Sequence, residues 1–69
     1  MYYVWVRIDS ETRMMKGCTM HVSIVQAHEF AEAYWGGRAY EIDCDGKTVY
    51  ISEKSKAILN GGQYGLFGV

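Results

Sequence analysis

No apolar run in this chain approaches the roughly twenty residues that a helix needs to cross a bilayer. No leader is expected either, because residues 1–8 are too short for one and carry Arg7 where its apolar stretch should continue. A cytoplasmic, membrane-free protein is therefore expected. Cysteine is scarce: Cys18 and Cys44 could pair, but they make no disulfide framework, and reduced, partly buried thiols are the expectation. Charge of one sign is also lacking, since seven Lys and Arg stand against eight Asp and Glu. No global field then draws the chain to nucleic acid or anionic lipid. Repeats, low-complexity segments and linkers are absent too.

What is present is compact and apolar. Sixty-nine residues make one domain, 1–69, and a chain this short buries only about 60% of its unfolded surface. Its 49% hydrophobic content, with two Trp, six Tyr and two Phe, makes a core feasible. A homodimer would be an easy way to add stability and is left open.

The centre of the chain, SIVQAHEFAEAYWGGRAYEIDCDGKTVYI over 23–51, is the most legible part. Ser23 and Gln26 form an S-x-x-Q capping box, with Val22 and Ala27 placed for a hydrophobic staple. Ile24, Ala27, Phe30, Ala31, Tyr34 and Trp35 fall on one helical stripe, opposite Gln26, Glu29 and Glu32. Gly36 and Gly37 would end the helix in the left-handed conformation glycine accepts. Asp45-Gly46 is then a favoured two-residue hairpin turn. A tight hairpin predicts the pairs Cys44 with Lys47, Ile42 with Val49, and Tyr40 with Ile51. That register puts Tyr40, Ile42, Cys44, Val49 and Ile51 on an apolar face, and Ala39, Glu41, Asp43, Thr48 and Tyr50 on a polar one.

The flanks complete an α+β fold. MYYVWVRI reads as a strand with Tyr2, Val4, Val6 and Ile8 on one face and Tyr3, Trp5 and Arg7 on the other. DSETRMMKG is a polar connection whose Met14 and Met15 are expected to tuck under the sheet as gap-fillers. Cys18–Val22 alternates again, Cys18, Met20 and Val22 against Thr19 and His21, and leads into the helix. The result is ββαββ, a mostly antiparallel four-stranded sheet of order 2-1-3-4 with the main helix on one face. After it comes a short helix over Glu53–Leu59, capped by Ser52, or a strand at Lys56–Leu59 in its place. The tail QYGLFGV would add an edge strand or lie over the core.

Chemistry is thin. Cys18, His21, His28 and Cys44 are metal-ligand types, but the one close pair, Cys18 and His21, points to opposite faces of a strand. No metal or cofactor is expected. The same residues could serve Cys-His catalysis, with Glu29 or Asp43 as orienting carboxylate, but a domain this small seldom encloses a pocket. No glycine-rich phosphate loop precedes a helix, and Asp43-Cys44-Asp45-Gly46 lacks the oxygen series of a calcium loop. A non-enzymatic binder is the expectation. Its surface would be the outer sheet face: Tyr3, Trp5, Arg7, Glu41, Asp43 and Tyr50, with Thr48 and His21 beside them. Trp, Tyr and Arg dominate protein interface hot spots. The competing readings are that the C-terminal segment covers this face, or that Tyr3, Trp5 and Tyr50 stack bases while Arg7, Arg13, Lys16 and Arg38 hold phosphates. Glu41 and Asp43 weigh against direct nucleic-acid binding.

With its helix written V-S-I-V-Q-A-H-E-F-A-E-A-Y-W-G-G and a D-G hairpin after it, the ββαββ order over residues 1–51 resembles the small inhibitors encoded by bacteriophages, anti-CRISPR proteins among them. The likeness is one of size and element order. It implies a non-enzymatic inhibitor in the host cytoplasm that blocks a bacterial protein or nucleoprotein complex. Some of these proteins mimic DNA charge; here only Glu29, Glu32, Glu41, Asp43 and Asp45 offer local negative charge.

Overall fold

The computed structural model describes residues 1–15 and 20–61. Cys18, Lys16 and the tail 62–69 lie outside the described residues, and with them the pairing of the two cysteines and the tail strand. The chain forms β1 (Tyr2–Arg7), β2 (Arg13–Met14), β3 (Met20–His21), α1 (Ile24–Trp35), β4 (Tyr40–Cys44), β5 (Lys47–Ile51) and α2 (Glu53–Leu59). It is a small α+β domain whose described residues form an antiparallel sheet and two helices.

β1 is the hub, as its near-continuous β-branched and aromatic run requires. One edge pairs antiparallel with all of β4, Val4 opposite Ile42 and Trp5 opposite Glu41. The other edge takes β3 beside Tyr2 and Tyr3, and β2 beside Val6 and Arg7. The arrangement differs in detail from the expected four strands. The order is β2-β1-β4-β5, with β3 joined to β1 off that path, because the polar connection after Asp9 contributes a two-residue strand of its own.

α1 covers one face. Ala27 and Ala31 are fully buried against Val4, Tyr40 and Ile42, with Tyr2, Ile24, Phe30, Trp35 and Tyr50 packed around them. The two alanines let the helix approach the sheet closely. Its start carries the Ser23 half of the expected capping box, the Ser23 hydroxyl accepting from the Gln26 N–H at 3.2 Å. Val22, however, is largely exposed rather than stapled down. Its end differs from expectation: Gly36 keeps right-handed angles of −54° and −30°. A Cβ there would lie 2.6 Å from the Glu32 carbonyl oxygen, so crowding, not positive φ, calls for glycine.

The hairpin turns at Asp45 and Gly46, with φ of 52° and 79°, as a turn with two positive angles demands. Its register departs from the expected one. Cys44 faces Lys47 and Asp43 faces Thr48, but Ile42 faces Tyr50 and Glu41 faces Ile51. A β-bulge leaves Val49 without an opposite number and flips everything beyond it. Tyr50 therefore belongs to the helix-covered face, Ile51 to the outer one, and Val49 stands exposed. Met14 and Met15 are likewise exposed rather than tucked beneath the sheet.

α2 packs on the opposite face, making a third layer over one end of the sheet. Ser52 anchors it twice: its hydroxyl accepts from the Ser55 N–H at 3.2 Å, as an N-cap, and from the Tyr40 N–H at 3.0 Å. The alternative strand at Lys56–Leu59 is thereby replaced by helix.

Candidate functional site

The outer face of the sheet carries Tyr3, Trp5 and Arg7 from β1, Arg13 from β2, Met20 from β3, Glu41 and Asp43 from β4, and Thr48 and Ile51 from β5. Its centre is a closed box of charge. The Arg7 guanidinium grips Glu41 with two nitrogens, at 2.7 and 2.8 Å. Arg13 reaches Glu41 at 2.9 Å and holds both oxygens of Asp43, at 3.1 and 2.6 Å. The Ser55 hydroxyl of α2 donates to Glu41 from the far side, and Thr48 donates to Asp43 at 2.9 Å.

Glu41 is 2% exposed, a depth at which an unpaired carboxylate would be costly. Burial alone pushes its carboxyl up, but the hydrogen bonds from Arg7 and Ser55 and the charges of both arginines outweigh it. The net effect holds Glu41 below its ordinary value. Asp43 behaves alike: burial raises it, and hydrogen bonds from Arg13 and Thr48 bring it lower still. Arg13 is raised in turn, chiefly by its bond to Asp43. Two positive and two negative groups cancel, so the box has no net charge.

Above it lies a cation–π contact, the Arg13 guanidinium 4.4 Å from the Trp5 ring centre. Trp5 faces outward as expected, but half-buried beneath that lid. Its indole N–H finds no hydrogen-bond acceptor among the described residues, so packing and the cation hold the ring.

Of the six residues expected to make up a binding face, the structure brings Tyr3, Trp5, Arg7, Glu41 and Asp43 together. Tyr50 is not among them. It lies on the helix side, where its ring meets Tyr40 at 5.5 Å and His28 at 4.4 Å. His21 is also on that side, 4.9 Å from Phe30, while its neighbour Met20 faces out. His28 is half-buried between the same two tyrosines. Beside it the Tyr40 hydroxyl donates to Glu32 at 2.7 Å, and burial followed by that contact pushes its ionisation far up.

Arg13 and Ser55 are the residues that sequence reasoning placed elsewhere or missed. Arg13 was readable only as a candidate phosphate ligand, and nothing local marks a buried serine as the partner of Glu41. The open part of the face lies away from α2. There Tyr3 of β1 stands opposite Met20 of β3, which is 52% exposed; Met1 and Val22, just outside those strands, are exposed as well. Among the described residues no three His, Cys, Asp or Glu side chains gather where a metal could sit, and no helix is long and apolar enough to cross a membrane. The chain matches no family model, no curated protein and no solved structure.

Proposed function

We propose that the protein is a non-enzymatic binder, a phage-encoded inhibitor that sterically blocks a bacterial macromolecular complex, with the open end of the outer sheet face as its contact surface. The observation that carries this reading is the pairing of the face's own charges. Arg7, Arg13, Glu41 and Asp43 satisfy one another, which leaves Tyr3, Met20 and the Trp5–Arg13 stack as what a partner would meet. Aromatic residues, Met and Arg with little free charge are the composition of interface cores.

The same pairing weighs against phosphate recognition. Arg7 and Arg13 would have to leave buried carboxylates to reach a phosphate, and Glu41 and Asp43 are too engaged to imitate one. The test is capture from a bacterial lysate by the wild-type chain and by Tyr3→Glu, with circular dichroism confirming that the variant folds. A partner held by the wild type and lost by Tyr3→Glu supports the reading. Equal capture by both removes this face from it.

A further inference from the structure

We infer that Asn60-Gly61, at the end of α2, is a site of spontaneous covalent modification: the asparagine turns to aspartate and isoaspartate, and the last turn of α2 loosens. Asn60 is the only asparagine in the chain, and glycine follows it. The change is independent of whether the outer face takes a partner.

The chemistry is internal and needs only water. The backbone nitrogen of Gly61, its proton lost to base, attacks the side-chain Cγ of Asn60. The new N–Cγ bond closes a cyclic imide, the Cγ–Nδ2 bond breaks, and ammonia leaves. Water then opens the ring at either carbonyl. Attack at Cγ restores the ordinary chain with aspartate; attack at the backbone carbon leaves the chain running through the side chain, as isoaspartate. One amide and one water become a carboxylate and an ammonium ion.

The local structure leaves this path open. Both residues are exposed. Gly61 brings no Cβ to crowd the approach of its nitrogen, and nothing lies within 4 Å of where that atom would stand. Its N–H is held by the Ile58 carbonyl at 3.3 Å, longer than an ordinary N–H···O bond. Asn60 has ψ of 25°, and the ring closes only after that angle turns. At the end of a seven-residue helix such an opening costs little.

Asp45-Gly46 is the informative contrast, because aspartate before glycine closes the same ring with loss of water. There the two residues form the turn of a hairpin, between the paired Cys44 and Lys47. Turning the backbone at Asp45 breaks into the β4–β5 ladder, so the fold protects this site and leaves Asn60 unprotected.

Conversion acts on α2 in two ways. The new carboxylate stands at the helix end where unpaired carbonyls already concentrate negative charge. Isoaspartate also adds a methylene to the backbone, which shifts the Gly61 N–H off its bond to Ile58. α2 carries the Ser55 hydroxyl that donates to Glu41, so the loosened helix is the one that roofs the charge box.

The test holds the full-length chain at mildly alkaline pH, folded and in urea, and follows the tryptic peptides by mass and chromatography. Peptide 57–69 should change from amide to acid in the folded chain at a rate within about tenfold of the unfolded one, as a fraying helix end allows. Two products of equal mass should separate, and Asn60→Gln should abolish both. Asp45 should be slowed by folding at least tenfold more than Asn60 is. After conversion, hydrogen exchange should quicken across residues 53–59 and stay unchanged in α1. An Asn60 that keeps its amide in the folded chain while the unfolded chain converts overturns the proposal, as does aspartate as the single product or equal protection at both sites. Unchanged exchange over residues 53–59 in the converted protein overturns the loosening of α2.

Discussion

The Arg13 guanidinium lies 4.4 Å over the Trp5 ring while its nitrogens hold Asp43 and Glu41. One side chain thus fastens a two-residue strand to the sheet and roofs the only tryptophan of the outer face. Backbone pairing of β2 covers just Arg13 and Met14, too little to persist alone. The charged contacts of Arg13 supply the remainder.

Replacing Arg13 by Ala should therefore free β2 and uncover Trp5. About 1–3 kcal/mol of stability should be lost, since Glu41 keeps Arg7 but Asp43 loses its main partner. In a Trp35→Phe background the folded protein's emission should shift to the red. An unchanged emission maximum would mean that Arg13 does not shield the ring.

Acid should act on the same cluster. The carboxyls of Glu41 and Asp43 sit below their ordinary values of 4.5 and 3.8. A group depressed in the fold stabilises it fully above its unfolded value, and that stabilisation fades as pH falls through the folded value. Stability should hold from neutral pH to about 5 and drop below about 4. Urea midpoints across pH read this directly. Glu41→Gln should be less stable at pH 7 and show a flatter acid slope; an identical slope would assign the acid sensitivity elsewhere.

The bulge at Val49 separates two neighbours that look alike in sequence. Val49→Thr should change stability by less than about 0.5 kcal/mol, because the side chain is exposed. Tyr50→Ala should cost about 2–4 kcal/mol, since its ring packs on Tyr40, His28 and the core around Ile42. Chemical denaturation of the two variants ranks them, and the reverse ranking would restore the unbulged register.

That bulge also explains what could be read in advance. The α1 stripe, the Ser23 cap, the Asp45-Gly46 turn and the short α2 all follow from local chemistry that acts within four residues. Pairing of Cys44 with Lys47 follows too, because the turn sets it. Two residues further on, a single extra residue in β5 reverses the sides of Tyr50 and Ile51, and nothing local announces it. Five of the six residues expected on the outer face, Tyr3, Trp5, Arg7, Glu41 and Asp43, do share it, because β1 and β4 run in plain alternation. Their state was not legible: Arg7, Glu41 and Asp43 read as exposed polar groups, yet Arg7 bonds Glu41 across 34 residues of chain and Arg13 bonds Asp43 across 30. Long-range pairing of that kind leaves no periodicity to detect.

Ser52 should be the weak point of the third layer. Its hydroxyl caps α2 and accepts from the Tyr40 N–H, so Ser52→Ala leaves two backbone donors unsatisfied. A loss of about 1–2 kcal/mol is expected. Hydrogen exchange should quicken through residues 53–59 before it does in α1. Uniform quickening across both helices would show that α2 and the sheet open as one unit.

The charge box also predicts how the protein treats nucleic acid. Phosphate binding by Lys and Arg releases counterions, so an affinity based on it rises steeply as salt falls. Arg7 and Arg13 spend their donors on Glu41 and Asp43, and Arg38 lies at the far end of α1 with its guanidinium 5.9 Å from the Trp35 ring centre. Labelled single-stranded oligonucleotides should show no saturable binding at 100 µM protein and roughly 20 mM salt, where electrostatic binders gain most. Arg13→Ala should not change this, because it removes a cation and leaves Asp43 uncompensated. Salt-dependent binding by the wild type would instead mean that the arginines abandon their carboxylates for phosphate, and the protein-binding reading of the face would fall with it.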